Sequence, residues 1–317
     1  MSVQTQMACP KRVLTAVIGA LLLAIAASRA AGGQQAVFRT GLDLVNFGVT
    51  VTDRKGAFIT DLHAEDFEIL EDGKKHPITY FAGGDIATAT PPMHLGLLFD
   101  TSGSMGDDIN LSRSAAVRFL NTLSDAEDMT LVDFDTEVRV ATYGQRDFPR
   151  VVERIRNRRP DGYTALYDAL GVFLDGASDN DGRTILVLYT DGGDTRSSIA
   201  YSEALNLVRA SDATIYTVGF LEHQPGSTKF SQRSQLTQLA EMTGGQAFFP
   251  LTMKDVDAAY DKVVAQIRAQ YSLGYVSANA KKDGNWRKVT IRLTRPDLKD
   301  VRIQSRKGYF ALYSKEQ

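Results

Sequence analysis

Five apolar residues, Leu95-Gly96-Leu97-Leu98-Phe99, run directly into Asp100-Thr101-Ser102-Gly103-Ser104-Met105, and this junction constrains the fold more than any other stretch of the 317 residues. An apolar run of about four to eight residues bounded by turn formers reads as a strand buried on both faces of a parallel sheet. The polar stretch then falls at the carboxyl end of that strand, where open α/β sheets build their ligand sites. Asp100, Ser102 and Ser104, at alternate positions, bring one carboxylate and two hydroxyls to one point, and Gly103 lets the loop fold tightly. Such an all-oxygen set suits a hard cation; magnesium takes these ligands in near-octahedral geometry and keeps several waters.

Two later stretches supply further oxygens. Asp161-Gly162-Tyr163-Thr164-Ala165-Leu166-Tyr167-Asp168 places the Thr164 hydroxyl at the entry to a helix. Ile185-Leu186-Val187-Leu188-Tyr189-Thr190-Asp191 is a second buried strand, ending in a carboxylate. In this order and context the residues resemble the von Willebrand factor A domain with its metal-ion-dependent adhesion site. The pattern of that family is Asp-x-Ser-x-Ser, then a Thr, then an Asp after a later strand. Asp-x-Ser-x-Ser alone is a weak motif; all positions filled in order are specific. The resemblance covers about residues 92–270. It implies a doubly wound, Rossmann-like, mostly parallel α/β sheet. It also implies a divalent ion, Mg²⁺ or else Mn²⁺ or Ca²⁺, at Asp100, Ser102, Ser104, Thr164 and Asp191, with one or both carboxylates acting through water. The function implied is non-enzymatic: metal-dependent adhesion to a protein that completes the site with an acidic side chain.

On either side of this region the periodicity changes. Val45, Phe47, Val49 and Val51 alternate with Asn46, Gly48, Thr50 and Thr52, as in a half-buried antiparallel strand. Phe67 to Leu70 and Ile78 to Phe81 read as short strands around the hairpin signal Asp72-Gly73. Past Tyr271, Val289, Ile291 and Leu293 alternate with Lys288, Thr290, Arg292 and Thr294. Neither end has enough strands to stand alone. We therefore expect residues 37–82 and 271–312 to form one small β-sandwich, into which the α/β region 92–270 is inserted. This arrangement, with Asp66-Phe67-Glu68 and Arg306-Lys307-Gly308-Tyr309, resembles exported bacterial proteins carrying a von Willebrand factor A-related domain.

Within the inserted region strands alternate with helices, which predicts a mostly parallel sheet covered on both faces. Helices are expected over Asn110 to Leu123, Phe148 to Asn157, Thr164 to Leu174, Tyr201 to Ala210 and Leu236 to Met242, with a closing helix marked by Val256, Tyr260, Val263 and Ile267. Short strands are expected at Met129 to Val132 and Gln246 to Phe249.

Residues 1–30 read as a signal peptide: Lys11 and Arg12, an apolar stretch from Val13 to Ala27, and a small-x-small site at Ser28-Arg29-Ala30. The stretch is shorter than the ~20 residues of a spanning helix, so we expect cleavage, no membrane span afterwards, and a periplasmic or extracellular location. Cleavage removes three basic groups and takes the formal charge from −2 to −5, which offers no electrostatic case for nucleic acid. Cys9, the only cysteine, leaves with it; the mature chain then has no disulfide, no thiolate zinc site and no cysteine nucleophile.

Several other polar groups invite a role. Asp168 and Asp194 are secondary candidates that orient a ligand or are simply solvated. Arg150, Arg154, Arg156, Arg158 and Arg159 make a basic run that is a solvated helix face or a positive rim near the metal. Asp133-Phe134-Asp135-Thr136 resembles the nucleophile motif of haloacid dehalogenase phosphotransferases, a rival reading in which Mg²⁺ assists phosphoryl transfer. That reading leaves Asp100 to Ser104 unexplained; in the adhesion reading its acids are surface groups on a turn. A further alternative is an envelope domain whose metal only stabilises the fold. A serine hydrolase is disfavoured because Ser102 lacks the Gly-x-Ser-x-Gly elbow and His63, His76, His94 and His223 are scattered.

Overall fold

The computed structural model describes residues 44–83, 91–123, 125–178, 180, 182–298 and 300–313. The proposed signal peptide, residues 1–30 with Cys9, lies outside them. The described chain opens with β1 (Leu44–Thr52), β2 (Phe67–Glu71), β3 (Lys74–His76) and β4 (Tyr80–Ala82). Asp72 and Gly73 take φ of 47° and 82°, as a primed two-residue hairpin turn requires. The second arm of the hairpin is β3 rather than Ile78 to Phe81. A two-residue turn makes pairing start at once, Leu70 against Lys75 and Glu71 against Lys74, and β4 crosses to a different sheet.

Strands and helices then alternate: β5 (Met93–Asp100), α1 (Ile109–Thr122), β6 (Asp128–Phe134), β7 (Val138–Gly144), α2 (Phe148–Asn157), α3 (Leu166–Ala177), β8 (Arg183–Thr190), α4 (Tyr201–Ala210), β9 (Thr214–Gly219), α5 (Gly226–Met242), β10 (Ala247–Phe248) and α6 (Met253–Arg268). The strands form one sheet in the order β10-β9-β8-β5-β6-β7, parallel except for β7 at the edge. β5 is internal, with Leu97 opposite Leu131 on one side and Val187 on the other.

Successive strand residues face opposite sides. Leu97, Phe99 and Tyr189 therefore pack with Phe119 of α1, Val151 of α2 and Tyr260 of α6. Leu98, Leu186 and Leu188 pack on the other face with Leu170 and Phe173 of α3, Val208 of α4 and Leu236 of α5. Helices thus cover both faces of a doubly wound sheet. Gly96 permits the closest of these contacts, since a Cβ there would stand 2.2 Å from Cζ of Phe173.

α5 starts at Gly226, ten residues before the expected Leu236. Its buried residues are Gln232, Leu236, Leu239 and Ala240, so its first two turns carry no apolar stripe for a sequence reading to detect.

The chain closes with β11 (Tyr271–Val276), β12 (Trp286–Leu293), β13 (Arg302–Gln304) and β14 (Gly308–Phe310). Two antiparallel sheets result, β13-β1-β11-β4 and β14-β12-β2-β3, and each takes strands from both ends of the described chain. Phe47, Val49, Val51, Leu273 and Tyr275 of the first pack against Phe67, Ile69, Val289 and Ile291 of the second. The apolar faces inferred from alternation are the ones that meet. Glu71 is buried between the sheets and accepts hydrogen bonds from Tyr275 Oη at 2.7 Å, Ser277 Oγ at 2.7 Å and Tyr309 Oη at 3.0 Å. Among the described residues no helix is long and apolar enough to cross a membrane.

Candidate metal centre

Asp100 ends β5 and is fully buried. Its Oδ1 accepts the Ser102 N–H at 2.9 Å, and its Oδ2 accepts the hydroxyl of Thr190, the last residue of β8, at 2.6 Å. Asp191 follows on the same strand end and is 1% exposed. It accepts the Gly193 N–H at 3.2 Å and the Gln224 side-chain amide at 2.9 Å. Ser102 is buried and Ser104 exposed, and their hydroxyl oxygens lie 3.1 Å apart. The Ser104 hydroxyl also reaches the Asp191 carboxylate.

Backbone hydrogen bonds lock the neighbouring loops together. Thr101 N–H donates to Phe134 O at 2.8 Å, Asp161 N–H to Thr101 O at 2.9 Å, and Gly103 N–H to Gly162 O at 3.1 Å. Gly162 takes φ +74°, and a Cβ there would lie 2.4 Å from the Thr136 hydroxyl, so only glycine fits. Thr164 is buried just ahead of α3. Its N–H donates to Thr195 Oγ1 at 2.9 Å, and its carbonyl accepts the N–H groups of Thr195 and Arg196 at 2.9 and 3.0 Å.

The electrostatics of this cluster are unfavourable without a cation. Burial, and then the charge of Asp191, push the Asp100 carboxyl up to about 7. Burial also raises Asp191, and the nearby Asp108 adds to the effect. Among the described residues neither carboxylate has a lysine or arginine partner. Two desolvated carboxylates beside two hydroxyls form a hard-oxygen set whose charge a divalent ion would neutralise. The donor chemistry therefore fits Mg²⁺, Mn²⁺ or Ca²⁺.

Asp168 and Asp194 serve as braces. Asp168 accepts the N–H groups of Ser198 and Ile199 at 2.9 to 3.2 Å. Asp194 accepts the Tyr167 N–H at 3.1 Å and the Ser197 hydroxyl at 2.5 Å. Both clip the loop after Asp191 to the first turn of α3, fixing where Thr164 and Asp191 stand. We expect Asp194→Ala to weaken divalent-ion binding by roughly 10–100-fold, as loss of a supporting partner does, with little change in melting temperature; titration calorimetry checks it.

Thr190, Thr195 and Gln224 were not singled out from the sequence. Thr190 was legible as a hydroxyl beside Asp191, whereas nothing local marks Gln224, which arrives from the loop after β9.

Asp133 corrects an expectation. β6 runs to Phe134, longer than the expected Met129 to Val132, so Asp133 lies within the strand rather than on a surface turn. It is 1% exposed and accepts from Arg139 Nε at 2.7 Å, Arg154 Nε at 2.6 Å and Arg158 Nε at 2.9 Å. A carboxylate held by three guanidiniums is a poor nucleophile. The same contacts occupy Arg154 and Arg158, which are thereby not free to form a positive rim. Ser102 Oγ bonds to Ser104, while His94 and His223 pair with Asp128 and Asp108 at 3.0 and 3.1 Å.

Among solved structures, the chain is similar to a von Willebrand factor type A protein from Catenulispora acidiphila (12% identity, TM-score 0.48, 88% of this chain and 76% of that one). It is also similar to the vWF domain of the type V pili tip protein Mfa5 from Porphyromonas gingivalis (14%, 0.47, 57% and 96%). A third similarity is to the PilB minor pilin from Streptococcus sanguinis (14%, 0.46, 58%), of which the chain spans 63%. No curated protein matches by sequence. The profile of the von Willebrand factor type A domain matches residues 94–266, more than half of the chain and nearly all of the sheet-and-helix region that carries Asp100, Thr164 and Asp191, and so the protein belongs to that family.

Proposed function

We propose that this chain is an exported, non-enzymatic adhesion module that binds a protein partner through a divalent ion held at Asp100, Ser102, Ser104, Thr164 and Asp191. The reading rests chiefly on one observation: Asp100 and Asp191 are both buried, the charge of Asp191 adds to burial in raising the Asp100 carboxyl, and neither is paired with a lysine or arginine among the described residues. A bound divalent ion supplies the missing positive charge and, through an open position, attracts an anion. The chain's own part is to orient the oxygens. Ser102 and Ser104 present neutral ligands, and Thr190, Gln224 and the backbone N–H groups hold the carboxylates in place.

Ser104 is exposed whereas Asp100 is buried, so the site opens to solvent on one side. An open side favours recognition over a purely structural ion, which closes its coordination. The partner then presents an exposed Asp or Glu. Residues 1–30 direct export to the periplasm or beyond, 92–270 form the binding unit, and 37–82 with 271–312 form the sandwich that supports it.

The test is to map the partner's epitope and replace each acidic residue by its amide, with Mg²⁺ present and after chelation. One replacement is expected to reduce affinity at least about tenfold, and chelation to do the same. Thr164→Ala should weaken partner binding more than it lowers the melting temperature. Binding indifferent to chelator, or to every single amide replacement, removes the metal from recognition.

A further inference from the structure

The basic run around α2 is divided by its contacts. Arg154 of the helix and Arg158, the extended residue that caps its carboxyl end, both turn to Asp133. Arg156, between them, points elsewhere and lines a groove of about 650 Å³ together with Asn110, Arg113, Arg118 and Asn121 of α1 and Met253 at the start of α6. Among the described residues no acidic side chain lines this groove.

Its three guanidiniums are poorly neutralised. Arg156 is exposed and has no hydrogen bond or ion pair among the described residues. Arg113 donates to the Arg158 carbonyl and, at 3.4 Å, to the Asn110 side chain, and its buried Nε has no partner. Arg118 alone meets a carboxylate, that of Asp257 at 3.0 Å, and both side chains are about half exposed. Such an exposed pair exchanges partners at little cost.

Position and length narrow the occupant. α1 starts three residues past the Gly103–Gly106 turn of the metal centre, so the Asn110 end of the groove lies beside that site. From Asn110 to Asn121 the helix rises roughly 16 Å, the length of about five extended residues. Arg113 and Arg118 are separated by a rise of about 7.5 Å and flank the groove-lining stripe of α1 on its two sides, so their long side chains suit carboxylates on alternate residues of an extended segment, ~6.6 Å apart. Without residues 1–30 the chain is acidic, with a formal charge of −5, so a long polyanion is repelled beyond the groove whereas a short acidic segment is not.

We propose that the groove between α1 and α2 docks an extended acidic segment of the protein partner, about five residues long with carboxylates at alternate positions, leading away from the metal centre. This deepens the adhesion reading given above and rests on it for the identity of the partner as a protein; the groove itself is tested without metal.

The probe is a fluorescent heptapeptide with glutamates at alternate positions, and its glutamine counterpart is the control. Anisotropy is measured with chelator and with Mg²⁺. The glutamate peptide is expected to bind in chelator, more tightly at low salt, at least tenfold better than the glutamine peptide. Arg156→Glu should weaken it about tenfold. Arg150→Glu, on the same helix but outside the groove and paired with Asp147, should leave it unchanged. Asp257→Asn should tighten it, because Arg118 is freed. Equal losses for Arg156→Glu and Arg150→Glu mean only diffuse attraction and overturn the proposal. Binding that needs Mg²⁺, vanishes in Asp191→Ala and ignores Arg156→Glu places the peptide at the metal centre; the groove proposal then fails while the adhesion reading survives. A short single-stranded oligonucleotide that outcompetes the peptide makes the occupant a nucleic acid and likewise overturns it.

Discussion

Asp100→Asn is expected to abolish divalent-ion binding and, in the same molecule, to stabilise the metal-free fold at neutral pH. Affinity should fall by more than the roughly 10–100-fold that loss of a mere supporting partner costs. The stability change has the opposite sign because Asp100 is buried beside Asp191, and its carboxyl is pushed up to about 7. A carboxyl raised in the folded state holds its proton more tightly there than in the unfolded chain. Its contribution is fully present below the ordinary carboxylate value near 4 and is lost as pH rises through about 7. The chelated wild type should therefore lose on the order of 3–4 kcal/mol between pH 4 and pH 8 from this group, and Asp100→Asn should not. Saturating Mg²⁺ should recover the loss, because binding to the folded state alone stabilises it. Denaturant titrations of both proteins at pH 5 and pH 8, chelated and Mg²⁺-loaded, decide the matter. Parallel pH dependence in wild type and variant would mean that the Asp100 carboxyl is not raised in the folded state.

Glu71→Ala should destabilise the β-sandwich by about 3 kcal/mol, since it leaves the buried Tyr275 hydroxyl and the half-buried hydroxyls of Ser277 and Tyr309 without their acceptor. Burial alone would raise the Glu71 carboxyl, but the hydroxyls of Tyr275, Ser277 and Tyr309 outweigh it and hold it below its ordinary value. With a depressed carboxyl, the stabilisation is present above the ordinary glutamate range and is lost as pH falls through the folded value. Glu71→Gln keeps the shape and one acceptor, and it should cost less than half as much. Because Glu71 lies in β2 while Tyr275 and Tyr309 lie in β11 and β14, the same variant loosens both ends of the described chain together. Hydrogen exchange would register that as coupled loss of protection in β1, β2, β11 and β12. Loss confined to β2 and β3 would show that the two ends are independently stable.

Much of this architecture was legible because its causes are local. The apolar run at Leu95 to Phe99 and that at Ile185 to Tyr189 are buried on both faces, which their composition demands. Residues with one apolar face at period two, such as Val289 and Ile291, could only be stable against a second sheet, and they meet one. The loop residues Asp100, Ser102, Ser104, Thr164 and Asp191 could be placed at strand and helix ends because the motif and the flanking apolar runs share one register. α5 was half missed, since its first turns lack an apolar stripe.

Local pattern was enough to set the alternation of strands and helices, the two-faced burial of the sheet and the strand ends at which Asp100 and Asp191 stand. Each depends on the periodicity and chemical type of neighbouring residues. Tertiary structure alone decided the rest. It paired β2 with β3 and sent β4 to the other sheet, because a two-residue turn fixes register at once. It buried Asp133 under Arg139, Arg154 and Arg158, and so turned an apparent phosphotransferase motif into an ion-pair cluster. It brought Gln224 to Asp191 across 33 residues of chain and left Arg156 facing α1 rather than the metal centre. For the side-chain contacts the physical reason is shared: a polar or charged side chain finds its partner through whatever the packed sheet brings beside it, and no local pattern encodes that neighbour.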